Sequence, residues 1–312
     1  MDTHETVIGS DLFSTSAQRI VDYLNAHTPL TDWSVSRVSG GEQVHVHVHP
    51  ESFLTIGQRV DWDQTFCFRM YHGASRIVPD SNLDPAYADH PDAQVVRAYA
   101  GFPITDDDGE LFGTLCGVAS QPLVDESAVD ADLVALMGEL LSSHLAMSRI
   151  ADRERRSVEI ADALANEDAL TGLVNRRGWD LLVTDAQQRV DAYGDLVAVA
   201  VLDLDGLKQI NDTEGHQAGD ELIRRAASAL RAAARPADRV ARYGGDEFAI
   251  LSNNVPVPDL PGHFARFTDA LAEHGVSASV GFAQTNPGLV TMQEAFSRAD
   301  KAMYDQKQSR RS

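Results

Sequence analysis

The chain has 312 residues, 43% of them hydrophobic, enough for two ordinary domains with separate cores. Its net charge of −21 excludes a nucleic-acid polymer or an anionic membrane as the main partner, since both require a basic footprint. Two cysteines are too few for a disulfide framework, MDTHETVIGS has no basic-then-apolar leader, and the longest apolar run, 196–202, falls far short of a bilayer; a soluble, reduced, cytoplasmic protein is expected.

Residues 10–26 carry apolar side chains at helical spacing and predict a first helix. WSVSRVS (33–39) and QVHVHVH (43–49) alternate with period two, and GELFGTLCGVAS (109–120) is an apolar run opened by a turn; together they predict an antiparallel sheet flanked by helices. On one strand His45, His47 and His49 would share a face, with neighbours about 6.6–7 Å apart. Zinc there would need a further ligand, and a polar strand face opposite Val44, Val46 and Val48 explains the alternation equally well. Cys67 and Cys116 lie in apolar stretches and are expected to be buried packing residues rather than a bilin anchor.

Residues 126–166 change character, with no proline, little glycine and many Ala, Leu, Arg and Glu. Steps of three and four pass through Leu133, Leu136, Leu140, Ser143, Met147, Ile150, Glu154, Ser157, Ala161 and Leu164, a heptad-like stripe with polar breaks. One amphipathic helix packed on its own domain would account for it. A dimerising stalk between two domains is the reading favoured by its length and central place.

The second half alternates. A helix is predicted over 177–192, a buried strand over 196–203 and a helix over 218–234. A hairpin of 239–243 and 247–251 follows, then a helix over 261–273, a strand over 276–283 and a last helix over 291–308. This is an α+β pattern, expected to place helices on one face of a sheet.

Two stretches carry chemistry. In VAVAVLDLDGLKQIND the buried strand ends in Asp203 and Asp205, which are costly there unless they hold a cation or serve a site. Period two puts both on one face, with Leu204 on the other. If the hairpin RYGGDEFAIL is the neighbouring strand pair, Asp246 and Glu247 arrive at the same sheet end, giving hard oxygen ligands suited to Mg²⁺ and to nucleotidyl transfer. Gly244 and Gly245 are expected to supply positive φ for the turn and to clear space for a nucleotide. A plain hairpin with solvated acids is the alternative for those ten residues alone.

With Gly244-Gly245-Asp246-Glu247-Phe248 intact, the second half resembles the GGDEF family of diguanylate cyclases. DALTGLVNRRGW (168–179), DLDGLKQINDTEGHQAGDELI (203–223) and ADKAMYDQK (299–307) match further family segments at the family's spacing. The resemblance implies a palm-like domain with a ferredoxin-like core over 167–312. It implies Mg²⁺ (or Mn²⁺) on Asp203, Asp246 and the Leu204 carbonyl, with Glu247 as a further ligand or a base. Asn211 and Asp220 would read guanine, and Lys208, Lys307 and Arg311 would hold GTP phosphates. Arg235 and Asp238 of RPAD match the family's inhibitory cyclic di-GMP site, with Arg266 as a secondary arginine. Arg235 read without the family simply ends a helix. The implied reaction joins two GTP, one per subunit of a homodimer, into cyclic di-GMP. A non-catalytic module that binds GTP or cyclic di-GMP is the alternative.

YAGFPITDDDGELFGTLCGVAS (99–120) and FCFRMYHGASRIVPD (66–80) resemble a GAF sensor domain over 10–148, overlapping a helical linker at 126–166. Its small-molecule ligand, or whatever other signal it receives, is not legible in the sequence.

Overall fold

The computed structural model describes residues 9–311, with the backbone alone described at 9–11, 155–165 and 311. Contacts divide it into two compact units, the first made mainly of residues up to Glu154 and the second of residues from Arg155 onward.

The first unit opens with α1 (Gly9–His27), β1 (Asp32–Ser39), β2 (Glu42–Val48), β3 (Arg59–Asp61), α2 (Phe66–Tyr71) and β4 (Ile77–Val78). It continues through β5 (Ala98–Thr105), β6 (Leu111–Ala119) and α3 (Ala131–Ala165), the last running on into the second unit. Its six strands form an antiparallel sheet in the order β3-β2-β1-β6-β5-β4. One sheet face, carrying Trp33, Val35, Phe102 and Leu115, packs on Phe13, Val21 and Leu24 of α1 and on Val134, Leu141 and Leu145 of α3. The other meets α2 through Tyr99 and Cys116 against Phe66, Cys67 and Met70.

Two expectations fail in this sheet. The histidine strand has no solvated face, since His45 and His47 are both buried. Nor do they share a side. The β1–β2 register slips between Val35 and Ser36, which pair with His47 and His45 respectively. An irregularity of this kind turns neighbouring side chains to opposite faces. His45 Nδ1 lies 3.0 Å from the Ser34 hydroxyl, whereas His47 meets the Phe13 ring edge-on. His49 instead pairs with Asp22 at 3.0 Å. The three imidazoles therefore do not form a metal site.

Helix α3 has two apolar faces. Val134, Leu141 and Leu145 are buried in the first unit, while the heptad positions Leu136, Leu140, Met147 and Ile150 are exposed. Both expected uses of this helix, packing on its own domain and presenting a stripe outward, thus fall on one element. The heptad positions Ser157, Ala161 and Leu164 lie outside the residues whose side chains are described.

The second unit contains α4 (Arg176–Tyr193), β7 (Val197–Leu204), α5 (Leu207–Glu214), α6 (His216–Ala233) and β8 (Arg239–Arg242). It ends with β9 (Glu247–Asn253), α7 (Leu260–Glu273), β10 (Ala278–Gln284) and α8 (Met292–Arg311). Its antiparallel sheet runs β10-β7-β9-β8. Helices cover both faces rather than one. Ala198, Ala200 and Leu202 pack with Leu222, Ile223 and Phe264, while Val197, Val199 and Val201 pack with Trp179, Leu182 and Met303. A strand apolar at every position must be buried on both sides, and VAVAVL already had that character. The molecule is thus an α+β protein. No helix among the described residues is long and apolar enough to cross a membrane.

Candidate active site

Strand β7 fixes the direction of the first acid. Asp203 continues the odd-numbered series that faces α8, and Lys307 of α8 makes an ion pair with it. Its register partner on β9 is Glu247. Asp246 directly precedes β9, and its carbonyl accepts from the Leu204 N–H at 3.0 Å, which ties the hairpin loop to the end of β7. Asp203, Asp246 and Glu247 therefore meet at one end of the sheet.

The charges of this group are under stress. Burial pushes the Asp203 carboxyl above its ordinary range, with Asp246 adding to the push and Lys307 opposing it. Burial likewise raises the Glu247 carboxyl, helped by Asp246, Asp203 and Asp300. Acids that make one another harder to ionise form a donor set short of positive charge. All the donors are hard oxygens, so the residues present fit a divalent cation such as Mg²⁺ or Mn²⁺.

The glycines act differently from expectation. Neither Gly244 nor Gly245 is among the residues with positive φ. The loop closes instead by the N–H groups of Tyr243 and Gly244 both donating to the Glu247 carbonyl, at 2.9 and 3.2 Å. Gly244 matters for space, because a Cβ there would stand 2.5 Å from Glu247 Oε2 and 3.3 Å from its Cβ. Gly245 faces open space, and its carbonyl accepts from Arg242 Nη2 at 2.8 Å. Arg242 is itself held by Asp168, 3.2 Å from Nη1. Against the upward push of burial, Thr171 and Arg242 hold the Asp168 carboxyl below its usual value. Sequence reasoning missed this brace. Its signal was the arginine two residues ahead of the glycine pair, together with the aspartate that opens DALTG.

Beside the acids lies a cleft of about 680 Å³, lined by residues 204–209, Asp212, Thr213, Asp246, Ser277, Lys307 and Arg310. Lys208 stands on its wall as expected from its place in α5, a helix the sequence had not revealed. Asp203 and Glu247 are not part of the lining; Asp203 is linked to it through Lys307. The Arg311 side chain lies outside the described residues, and Arg310 takes a place in the cleft that the sequence had not assigned. It donates to Asp205 Oδ2 at 3.0 Å and to the Ala278 carbonyl at 2.8 Å. Asp205 is also held by the hydroxyls of Ser277 at 2.7 Å and Ser279 at 3.1 Å, so its carboxylate is already engaged.

Asn211 and Asp220 are on α5 and α6, outside the cleft lining. Gly219 brings the two helices together there. A Cβ at 219 would fall 2.0 Å from Asn211 Oδ1, so the missing side chain lets Asn211 lie against the residue before Asp220.

A second cluster gathers behind α6. Asp238 is buried; its Oδ2 accepts from the Arg235 backbone N–H at 2.8 Å and forms an ion pair with Arg266. His263, which the sequence reading did not single out, lies 3.5 Å from Asp238 Oδ1 and 2.8 Å from the Ser252 hydroxyl. Burial and then Arg266 hold its imidazole below the ordinary value, opposed by Asp238. The Arg235 side chain lines a shallow depression with Pro256, Asp259 and His263. Arg235, Asp238 and Arg266 are thus brought together, with the aspartate committed to internal partners.

With this geometry in hand, comparison with known proteins gives two domain matches. Residues 165–312 match "Diguanylate cyclase, GGDEF domain" and residues 10–148 match "GAF domain". An uncharacterised protein from the hutH 5′ region of Streptomyces griseus is 34% identical over 209 residues, covering 65% of this chain and 82% of that protein. Diguanylate cyclase DgcP of Escherichia coli K12 is 26% identical, covering 83% of this chain and 76% of that protein. Probable diguanylate cyclase DgcC of the same strain is 28% identical over 54% of this chain, which spans 47% of that relative's length.

Proposed function

The chain belongs to the GGDEF family, with a GAF domain ahead of its GGDEF domain, and from that premise we propose that it is a diguanylate cyclase condensing two GTP into cyclic di-GMP and two pyrophosphates. The observation that carries this reading is the meeting of Asp203, Asp246 and Glu247 at the sheet end beside a cleft bearing Lys208, Lys307 and Arg310. A Mg²⁺ ion on Asp203, Asp246 and the Leu204 carbonyl would neutralise triphosphate charge and polarise the α-phosphate.

The chain's own residues do the rest. Lys208, Lys307 and Arg310 hold phosphate oxygens and offset the charge that grows on the departing pyrophosphate. Asn211 and Asp220 read guanine, the carboxylate accepting from its N1–H and exocyclic amine, donors that adenine does not present together. Glu247, whose carboxyl is raised by burial and acidic neighbours, is matched to take the proton of the attacking 3′-hydroxyl.

Each chain holds one substrate, so closing the ring takes two copies. The outward stripe on α3, with Leu140 56% and Met147 67% exposed, supports a homodimer paired along that helix. Arg235 beside its depression supports product binding there, so that cyclic di-GMP restrains synthesis. The GAF domain receives the signal that sets the rate.

The test is direct. Purified protein with Mg²⁺ and GTP, analysed by mass spectrometry, should yield cyclic di-GMP and pyrophosphate, and ATP should yield no cyclic product. Asp246→Ala should abolish turnover while leaving the circular dichroism spectrum unchanged. Nucleotide binding without product in the parent protein would replace the cyclase with a non-catalytic receptor.

A further inference from the structure

Strand β10 is an edge of the second unit's sheet, and side chains of α8 meet its outward backbone groups. The Val280 N–H donates to Gln306 Oε1 at 2.6 Å, and the Ala278 carbonyl accepts from Arg310 Nη1 at 2.8 Å. Gln306 and Arg310 are four residues apart and so share one face of the helix. Backbone groups left unpaired under a covering helix are costly, and that accounts for the glutamine. It does not account for the arginine, whose Nη1 also donates to Asp205 Oδ2 at 3.0 Å.

Asp205 is fixed independently of Arg310. Its backbone N–H donates to the Ser277 carbonyl at 2.9 Å, while Oδ2 accepts from the Ser277 hydroxyl and Oδ1 from the Ser279 hydroxyl. The two serines are two residues apart, so an extended segment turns both hydroxyls to one side. On the arginine, the contacts to Asp205 and Ala278 use both N–H donors of Nη1. Its Nε and Nη2 have no protein partner among the described residues, on a side chain 46% exposed that lines the cleft. An arginine that grips an anion loses rotamer freedom on binding, and one already tied at a single nitrogen loses less.

We propose that Asp205 is a positioning residue for nucleotide binding. It holds the Arg310 guanidinium at the cleft wall through Nη1, leaving Nε and Nη2 to donate to phosphate oxygens. This role rests on the reading of the cleft as a triphosphate site, and adds to it an acid whose contribution runs against its own charge. A carboxylate beside a polyanion repels it, so removing that carboxylate should tighten binding on charge alone. Positioning predicts the reverse sign.

Equilibrium binding of a GTP analogue with a methylene group between its α and β phosphorus atoms, in the presence of Mg²⁺, reads this without turnover. Asp205→Asn should weaken binding about fivefold and Arg310→Ala about tenfold, and the double variant should bind no more weakly than Arg310→Ala alone. Ser277→Ala removes one donor from the carboxylate without changing charge and should weaken binding about twofold, again with no effect once Arg310 is alanine. A thermal melt of each variant confirms folding, and if Asp205→Asn does not fold, Ser277→Ala carries the same cycle. A parent protein that binds no analogue would overturn the triphosphate reading and this role with it. A parent that binds the analogue, with Asp205→Asn or its stand-in binding equally or more tightly, or with losses that add to that of Arg310→Ala, would overturn the positioning role alone.

Discussion

The carboxylate end of β7 and the polar face beneath α2 are both clusters of buried polar groups, but they meet that cost in opposite ways. Beneath α2 the groups are neutral hydroxyls, thiols, an amide and an imidazole, arranged so that nearly all bond one another. At β7 like charges are crowded together and only partly offset by Lys307. A cluster that is internally satisfied resists ligands from outside. One left with excess charge invites them, so charge balance separates a closed site from an open one more sharply than burial does.

The comparison can be broken at several points. The largest expected effect is at the open cluster, where Asp203→Asn removes one carboxylate without changing shape. Turnover of GTP should fall about 1,000-fold, roughly 4 kcal/mol of transition-state stabilisation, as measured by initial rates of pyrophosphate release. A residual rate within tenfold of the parent would show that the acids are not gathered for catalysis.

At the closed sheet the lever is protons. Burial lowers His45 and His47 from 6.5 to about 4. Between those values the unfolded chain binds protons that the native chain refuses, so stability is full above pH 6.5 and is lost as pH falls toward 4. Each histidine should cost on the order of 3 kcal/mol across that window. Denaturant unfolding of the first domain at stepped pH reads the loss, and His45→Gln should flatten part of it. Equal slopes in parent and variant would mean that His45 is already protonated in the fold.

Smaller effects sharpen the picture within the second unit. Arg235→Ala should raise the cyclic di-GMP concentration needed for half inhibition about tenfold, near 1.4 kcal/mol, with the uninhibited rate unchanged. Gly219→Ala should displace Asn211 and raise KM for GTP about fivefold, roughly 1 kcal/mol. Because the new methyl would also crowd Leu207, a thermal melt of the variant should show a modest loss of stability from overpacking, on the order of 1 kcal/mol.

Much of this was legible beforehand for a physical reason: periodicity and acids at a strand end are local signals. The run from Val197 to Asp203 and the GGDEF hairpin announced both their elements and their meeting. What escaped depended on partners distant in sequence. The slip between Val35 and Ser36 that separates His45 from His47 is set by how β1 and β2 pair, not by either strand alone. Arg242 braced by Asp168, and Arg310 on the cleft wall, rest on contacts across 74 and 105 residues. The second helical layer was readable in principle, since both faces of β7 are apolar, but alternating strands and helices suggested one covered side.

The ion pair between Lys307 and Asp203 has a thermodynamic consequence. A divalent cation bound at Asp203 as proposed would displace the α8 ammonium that serves there as an internal counter-ion, so metal loading would be an exchange rather than a simple addition. The ammonium released in that exchange would become available to the proposed triphosphate. Divalent ion and nucleotide should therefore each tighten the other's hold, and the C-terminal helix would register when both have been taken up.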